Sequence, residues 1–314
     1  MQIRPIIAAL RRHRLATLLI ALEIALACAV LCNACFLIAS RVKAMDIASG
    51  VDEASLALVR MDCVSCGKDL AGRVLAALRG VAGVQSATVV NATPFSDRVA
   101  DNGVTLDAAG KQRGGTPHFY TGGPGSAEAL ELHLVEGRRF QSQDFQPSDG
   151  TWLAPDSPVW VTRAFAAHLW PGQDALGKEF WGGSYHFRVA GVIDHLVRPN
   201  PGDSGPGTEE WSVFVPLAQG DSNGVFLLRA PPAQLGRVLR EARAAAIKAA
   251  PEAVLNTDQS QTIRDLRSRF FRNDRAMAGL LVGVILALML VTALGITGLA
   301  SFWVGQRRKQ IGIR

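Results

Sequence analysis

Charge is missing from two long stretches of this 314-residue sequence. Between Leu15 and Ala39 the one charged residue is Glu23, and between Ala276 and Val304 there is none. About 20 apolar residues in a helix cross the ~30 Å hydrocarbon core of a bilayer, and a spanning helix satisfies its own backbone hydrogen bonds. Both stretches therefore read as transmembrane helices, over 15–40 and 276–304. The first is too long for the ~7–15-residue apolar region of a signal peptide, and Ala34, Ala39 and Ala44 offer no A-x-A cleavage site, so it reads as an uncleaved anchor.

Acid is missing from both ends. Residues 1–14 carry Arg4, Arg11, Arg12 and Arg14 with no Asp or Glu, and residues 305–314 carry Arg307, Arg308, Lys309 and Arg314, again with none. The intervening 41–275 holds 25 Lys+Arg against 26 Asp+Glu, a net charge of −1. Short basic flanks stay in the cytoplasm, whereas long loops cross largely regardless of charge. The sequence thus predicts a cytoplasmic N-terminus (1–14), a first span, an extracytoplasmic domain (41–275), a second span and a cytoplasmic basic tail (305–314). The pI of 9.4 is a topology signal. It does not indicate nucleic acid, because the basic residues sit at the ends and not along one folded face.

Catalytic spacing is also missing. The six histidines form no HExxH or other paired ligand spacing, and Ser, His and Asp are scattered without a nucleophile elbow. No enzyme activity and no cofactor are expected. Gly172-Gln-Asp-Ala-Leu-Gly-Lys178 has the spacing of a phosphate loop. It lacks the Ser or Thr that must follow for magnesium, having Glu179 instead, and it follows Trp170-Pro171 rather than a buried strand. It reads as a turn.

Cysteine is sparse, with five residues. Cys28, Cys32 and Cys35 share one face of the first span and read as small apolar packing residues. Cys63 and Cys66, in Met61-Asp-Cys-Val-Ser-Cys66, fall in the translocated domain. An oxidising compartment permits a disulfide there; the same spacing, in a loop resembling that of heavy-metal-associated domains, offers two thiolates to a soft metal ion. Within the spans, Glu23 reads as a carboxyl group at a helix–helix contact. Gly279-Leu-Leu-Val-Gly283 reads as a close-approach stripe facing the first span or a second copy.

The pattern between the spans is α+β, in two subdomains. Leu56–Arg60 reads as a strand, Leu70–Leu78 as a helix and Val84–Val90 as a strand. Pro94–Gly125 is rich in Gly and Pro and reads as loop with one hairpin. An inserted subdomain of about 118–200 should hold strands at Leu130–Val135, Val159–Thr162 and Phe187–Ile193 and a helix at Arg163–Leu169. Val213–Pro216 and Val225–Arg229 follow as strands, and Pro231–Ala250 as a helix. Thr262–Arg275 reads as an amphipathic stalk running directly into the second span.

Four stretches, in order, carry a family resemblance. They are Leu78-Arg-Gly-Val-Ala-Gly-Val-Gln-Ser-Ala87 with Asn91-Ala-Thr-Pro94; Val135-Glu-Gly-Arg-Arg-Phe140 with Asp144; Val159–Pro171 with Leu176-Gly-Lys178 and Val189–Asp194; and Gln306–Arg314. The chain resembles the MacB/FtsX-like permeases of ABC transporters over their first span, extracytoplasmic core domain and second span. Family permeases continue to two further spans, so a sequence ending at Arg314 reads as a truncated permease or a half-permease. The resemblance implies a bacterial inner-membrane location and a separate ABC ATPase subunit, with Arg307, Arg308, Lys309 and Arg314 beside it. It also implies a second copy or second permease, an extracytoplasmic adaptor protein, surrounding membrane lipid, and mechanotransmission in place of catalysis. A membrane-anchored sensor and a metal-binding protein using Cys63 and Cys66 stand as the alternatives.

Overall fold

The computed structural model describes residues 14–63, 67, 69–148, 153–202, 205–218 and 224–311. They fall into two compact units. One holds the chain's two ends, 1–47 and 271–314, and the other is Ala48–Phe270.

In the first unit, α1 (Arg14–Met45) packs against a second long helix, Arg272–Ile311. Both are long and apolar enough to cross a membrane, over Ala21–Met45 and Arg272–Gly298, and almost none of either span is buried within the chain. They run antiparallel. Arg41 Nη1 donates to Asp274 Oδ1 at 2.5 Å near one end, and the Glu23 carboxylate lies 2.7 Å from where a Cβ on Gly295 would stand. The chain therefore enters and leaves this hairpin at the same end.

In the second unit, two sheets form among the described residues. The first is built from β1 (Leu56–Asp62) and β2 (Ser86–Val89), joined by α2 (Leu70–Arg79), and from two strands that come late in the chain. The apolar spacing of α2 buries Leu70, Val74, Leu75 and Leu78 on this sheet.

The chain then leaves to build a second sheet of eight strands. These are β3 (Val104–Thr105), β4 (Arg113–Gly115), β5 (His118–Gly122), β6 (Leu134–Gly137), β7 (Asp156–Thr162), β8 (Glu179–Gly182), β9 (Tyr185–Ile193) and β10 (Ser212–Pro216). A one-turn helix α3 (Ser126–Ala129) precedes β6, and α4 (Arg163–Leu169) follows β7. The order β4-β3-β8-β9-β7-β10-β5, with β6 on β9, is mixed: β7–β9 and β5–β10 are parallel pairs. Phe165, Phe180, Phe187, Val159 and Val213 fill its core with essentially no exposure. Full burial of each such side chain contributes roughly 1.5–3 kcal/mol.

The chain returns as β11 (Val225–Arg229), α5 (Leu235–Ala249) and β12 (Val254–Leu255), completing the first sheet in the order β12-β1-β11-β2. Leu235, Val238, Leu239, Ala242 and Ala246 form the buried stripe of α5, which packs beside α2. The excursion starts and ends side by side, because Val90 N donates to Val225 O at 3.1 Å. The inserted block expected at about 118–200 lies inside it.

Three expectations change. Leu130–Val135 is not a strand throughout: Leu130 and Leu132 close the helical turn begun at Ser126, through bonds from their amides to Ser126 O and Ala127 O, and the strand starts at Leu134. The stretch 94–125 holds three strands where one hairpin was expected. Two of them are only two and three residues long, too short to show alternation. The stalk is also interrupted. A short helix α6 (Ile263–Phe270) ends one residue before α7 (Arg272–Ile311) begins, with Phe271 as a turn between them.

Candidate functional site: the loop joining both sheets to the stalk

The segment after β2 acts as the lock between the two sheets. Asn91 is 6% exposed, and its amide substitutes for a ladder residue. Its Nδ2 donates to Phe119 O at 2.8 Å, its Oδ1 accepts from Thr121 N at 2.8 Å, and its own N–H donates to Thr121 O at 3.0 Å. Buried polar groups must be paired in this way, and no apolar side chain of similar size can serve both an N–H and a C=O. Beyond Pro94, Phe95 takes φ 65°, a left-handed conformation that costs a bulky residue about 1–3 kcal/mol. Two anchors hold it there. Phe95 N donates to Pro199 O at 3.1 Å, and Ser96 Oγ donates to Thr93 O at 2.8 Å.

The result is a ring aimed at the stalk. Phe95 lies 5.8 Å, centroid to centroid, from Phe270 at the end of α6, and the Arg267 guanidinium sits 5.0 Å over its face. Arg267 also donates to Glu53 Oε1 at 2.5 Å, so the segment entering the domain and the helix leaving it are held together. Between the loop and α6 lies an open groove of about 210 Å³, walled by Phe95, Val99, Leu266 and Phe270 with Asp97 and Arg269 at its polar rim.

Arg60 on β1 ties the same loop to the first sheet. Its Nε donates to Asp62 Oδ1 at 2.7 Å and its Nη1 to Asp97 Oδ1 at 2.8 Å, while Asn256 Nδ2 donates to Asp62 Oδ2 at 2.9 Å. Burial pushes the Asp62 carboxyl up, but the Asn256 and Arg60 bonds together prevail and hold it below the usual range. Arg98 beside it is pushed down, first by burial and then by the charge of Arg60, with Asp62 and Asp97 offsetting part of this.

Behind the loop is a buried polar pillar. His118, wholly buried, places Nδ1 2.9 Å from Asp101 Oδ1 and 3.2 Å from the Ala100 N–H. Arg198, 2% exposed, pairs with the other Asp101 oxygen and donates to Thr116 O at 3.3 Å. Tyr120 OH donates to Val197 O at 2.6 Å. Burial lowers His118 against the pull of Asp101, so a neutral imidazole is favoured. For Asp101, burial is outweighed by His118 and Arg198, and its pKa falls. His118 Nε2 is buried without a hydrogen-bond partner. The pillar therefore positions loops 95–101 and 196–200.

The Glu136-Gly-Arg-Arg-Phe140 motif with Asp144 is a second fastening. Arg138 grips Asp144 through both guanidinium nitrogens, at 2.5 and 3.0 Å, and Asp144 Oδ2 also accepts from Gln141 N at 2.8 Å. Trp160 Nε1 donates to Arg138 O at 3.0 Å, and Phe140 stacks on the Trp160 ring at 4.3 Å.

The residues singled out from sequence are scattered. Cys63 directly follows β1 and is disulfide-bonded, so in this state its sulfur is no thiolate for a soft ion; Cys66 lies outside the described residues. Among the described residues no group of three or more His, Cys, Asp or Glu is placed to hold a metal ion. Cys28, Cys32 and Cys35 are free. Glu23 meets the second helix at Gly295. A Cβ on Gly279 or Gly283 would meet no heavy atom within 4 Å. Arg307, Arg308 and Lys309 lie in the last turns of α7, and Arg314 is outside the described residues. Gly172 and Gly177 both take positive φ, 69° and 74°. Lys178 bonds Gln173 Oε1 and lies 5.6 Å over Trp170, a closed turn with its lysine occupied. Sequence reasoning missed Phe95, Arg60, Arg198, His118 and Arg267. For Phe95 alone a signal existed, in its place directly after Pro94.

No family model matches the sequence, and no curated protein matches it. Among solved structures, the periplasmic region of MacB from Actinobacillus actinomycetemcomitans aligns with a TM-score of 0.43 at 12% identity, covering 66% of this chain and 89% of that one. The extracellular domain of the noncanonic ABC-type transporter YknZ from Gram-positive bacteria aligns with a TM-score of 0.41 at 15% identity, covering 65% of this chain and 98% of that one. This chain is similar to both.

Proposed function

We propose that this chain is a permease subunit of an ABC transporter, in which ATP hydrolysis on a separate polypeptide moves the domain outside the membrane. The observation that carries this reading is the grip of Phe95 and the Arg267–Glu53 pair on α6. One short helix, one residue from the start of an apolar span, is fastened to the loop that locks both sheets. A displacement of α6 is passed to Phe95, then through Asn91 to β5 and through Arg60 and Asp97 to β1. Packed elements transmit such shifts because they are not continuously deformable. The turn at Phe271 makes the device a jointed lever, in place of the unbroken helix expected from sequence.

In this reading 1–14 and the tail with Arg307, Arg308, Lys309 and Arg314 are cytoplasmic and the tail lies beside the ATPase. The outer domain then extracts, exports or signals. The test is affinity purification of the full chain from native membranes, with identification of bound ATPase, alongside topology reporters at Gly122 and Arg314. The reading expects an ABC ATPase in the eluate, its yield reduced when Arg307, Arg308 and Lys309 are neutralised, and reporters on opposite sides. Reporters on the same side, or an eluate without ATPase, would refute it.

A further inference from the structure

One side chain of the first span carries its hydrogen-bonding groups on the outside of the hairpin. Asn33 lies within the span Ala21–Met45 and is exposed. Its neighbour Ala34 is buried, 4% exposed. Successive residues sit about 100° apart around a helix, so Asn33 points to one side of the α1–α7 contact and not into it. The nearest charged residues along α1 are Glu23 and Arg41, about 15 Å and about 12 Å of helix away. A carboxamide is far too short to reach the membrane surface as a lysine or arginine does. Hydroxyls elsewhere in the two helices turn back on their own backbone. Ser40 Oγ donates to Leu37 O at 2.8 Å, Thr292 Oγ1 to Leu288 O at 2.9 Å, Thr297 Oγ1 to Ala293 O at 2.8 Å and Ser301 Oγ to Thr297 O at 2.8 Å. The Asn33 carboxamide has no hydrogen-bond partner among the described residues. Turning back would not complete it. A helix carbonyl can take one of its N–H groups, but its oxygen also needs a donor, and the helix amides are already bonded. In hydrocarbon an unpaired amide is costly.

What completes a carboxamide is a group that offers a donor and an acceptor together, at the same depth. A second copy of this chain, inserted with the same topology, brings an identical carboxamide to an identical depth. Two such groups about a twofold axis exchange an N–H···O bond in each direction. We propose that Asn33 is the polar centre of a self-association surface on α1, through which this chain pairs with a second copy. The face around it has the spacing that such packing uses. Leu22, Leu26, Ala29, Asn33 and Phe36 recur at alternating intervals of four and three residues, and all are exposed. That is the heptad repeat that keeps one stripe of a helix toward its partner, and a single asparagine within it fixes the register, because any slide of one copy along the other parts the two amides. The surface is separate from the stripe of Gly279 and Gly283, which lies on α7. The inference rests on α1 being a span, which the reporters at Gly122 and Arg314 test separately.

The full chain, carrying a donor or an acceptor fluorescent protein at its N-terminus, is reconstituted as a mixture in phosphatidylcholine vesicles. Energy transfer is followed as the protein-to-lipid ratio is lowered. The parent should transfer above the level of randomly placed copies. Asn33→Leu, which keeps the bulk and suits the bilayer better, should weaken association roughly 5–30-fold, the range for an interhelical polar contact. Asn33→Gln, which keeps both halves of the amide, should retain most of it. The Gly122 reporter confirms insertion of each variant in cells. A parent that stays monomeric overturns the proposal. So does association of Asn33→Leu equal to the parent's, or association lost only on Gly279→Leu, which places the contact on α7.

Discussion

Replacing Asn91 with Ala removes one side chain and leaves two groups of β5 stranded. The Thr121 N–H loses an acceptor at 2.8 Å and the Phe119 carbonyl loses a donor at 2.8 Å, in a region where Asn91 itself is 6% exposed. Each buried polar group left unpaired costs about 1–3 kcal/mol. The backbone bond from Asn91 N to Thr121 O survives, so the two losses together should come to about 3 kcal/mol. For a unit of this size, about 3 kcal/mol lowers the melting temperature by roughly 6–12 °C. Asn91→Asp is the informative companion. It keeps the acceptor for Thr121 but has no donor for Phe119 and brings a charge into the seam, so it should be no more stable than Asn91→Ala. Arg139→Ala, at a side chain 77% exposed, is the control and should melt within about 2 °C of the parent, as surface changes do. The assay is thermal unfolding of the full chain in detergent, followed by tryptophan fluorescence. If Asn91→Ala melts with the control, the two sheets are held by something other than this amide, and the route from α6 to β5 loses its middle link.

Asp144→Asn should cost about 1 kcal/mol at neutral pH, discounted because Arg138 is half exposed. The folded pKa of Asp144 is depressed, so its stabilisation is present above the ordinary carboxylate value and lost as pH falls through the folded one; the variant's deficit should begin to shrink below about pH 4 and be gone only in stronger acid. His118 is also depressed in the fold, so the unfolded chain binds its proton first and stability should fall as pH drops below about 6.5. His118→Gln should flatten that slope in a pH series of denaturant midpoints, and an unchanged slope would refute the assignment. Gly295→Leu should crowd the contact between α1 and α7, since a side chain there must push aside the Glu23 carboxylate, whose Oε1 stands 2.7 Å from the Cβ position. Gly279→Leu should not, and cross-linking between the helices reads the difference. Lys178→Ala should leave nucleotide binding at background in equilibrium dialysis, and micromolar ATP binding lost on that change would overturn the reading of the turn.

Elements with strong local periodicity were legible. The spacing of Leu70, Val74, Leu75 and Leu78 writes α2 onto its sheet, and α4 appears at the residues expected for it. What failed to show was set by distant partners. The strand Glu179–Gly182 forms because β9 returns to pair with it, and no alternation in four residues announces that. His118, Asp101 and Arg198 are separated by up to 97 residues. A buried Arg198 in a Pro- and Gly-rich stretch looks like a solvated loop until its acid is found. The motifs behind the family resemblance were visible as patterns, yet their physical work was not. Asn91 shows in the sequence only as part of a motif and is a ladder mimic; Arg138 and Asp144 show likewise and are a clasp. The break at Phe271 had no Pro or Gly to announce it.

The Val90–Val225 bond has a further consequence, for descent. A segment that departs and returns at adjacent rungs of one sheet can be lengthened, shortened or exchanged without altering the distance its host strands must span, and the entropic charge for a longer loop grows only slowly with its length. The first sheet, carrying both connections to the long apolar helices, is held constant by α2 and α5. The residues between 90 and 225 are free to diverge in sequence and outline, provided an amide at position 91 still reaches the strand beside it. Lineages built on this plan should differ most in the outlying sheet and least in the two rungs where it attaches.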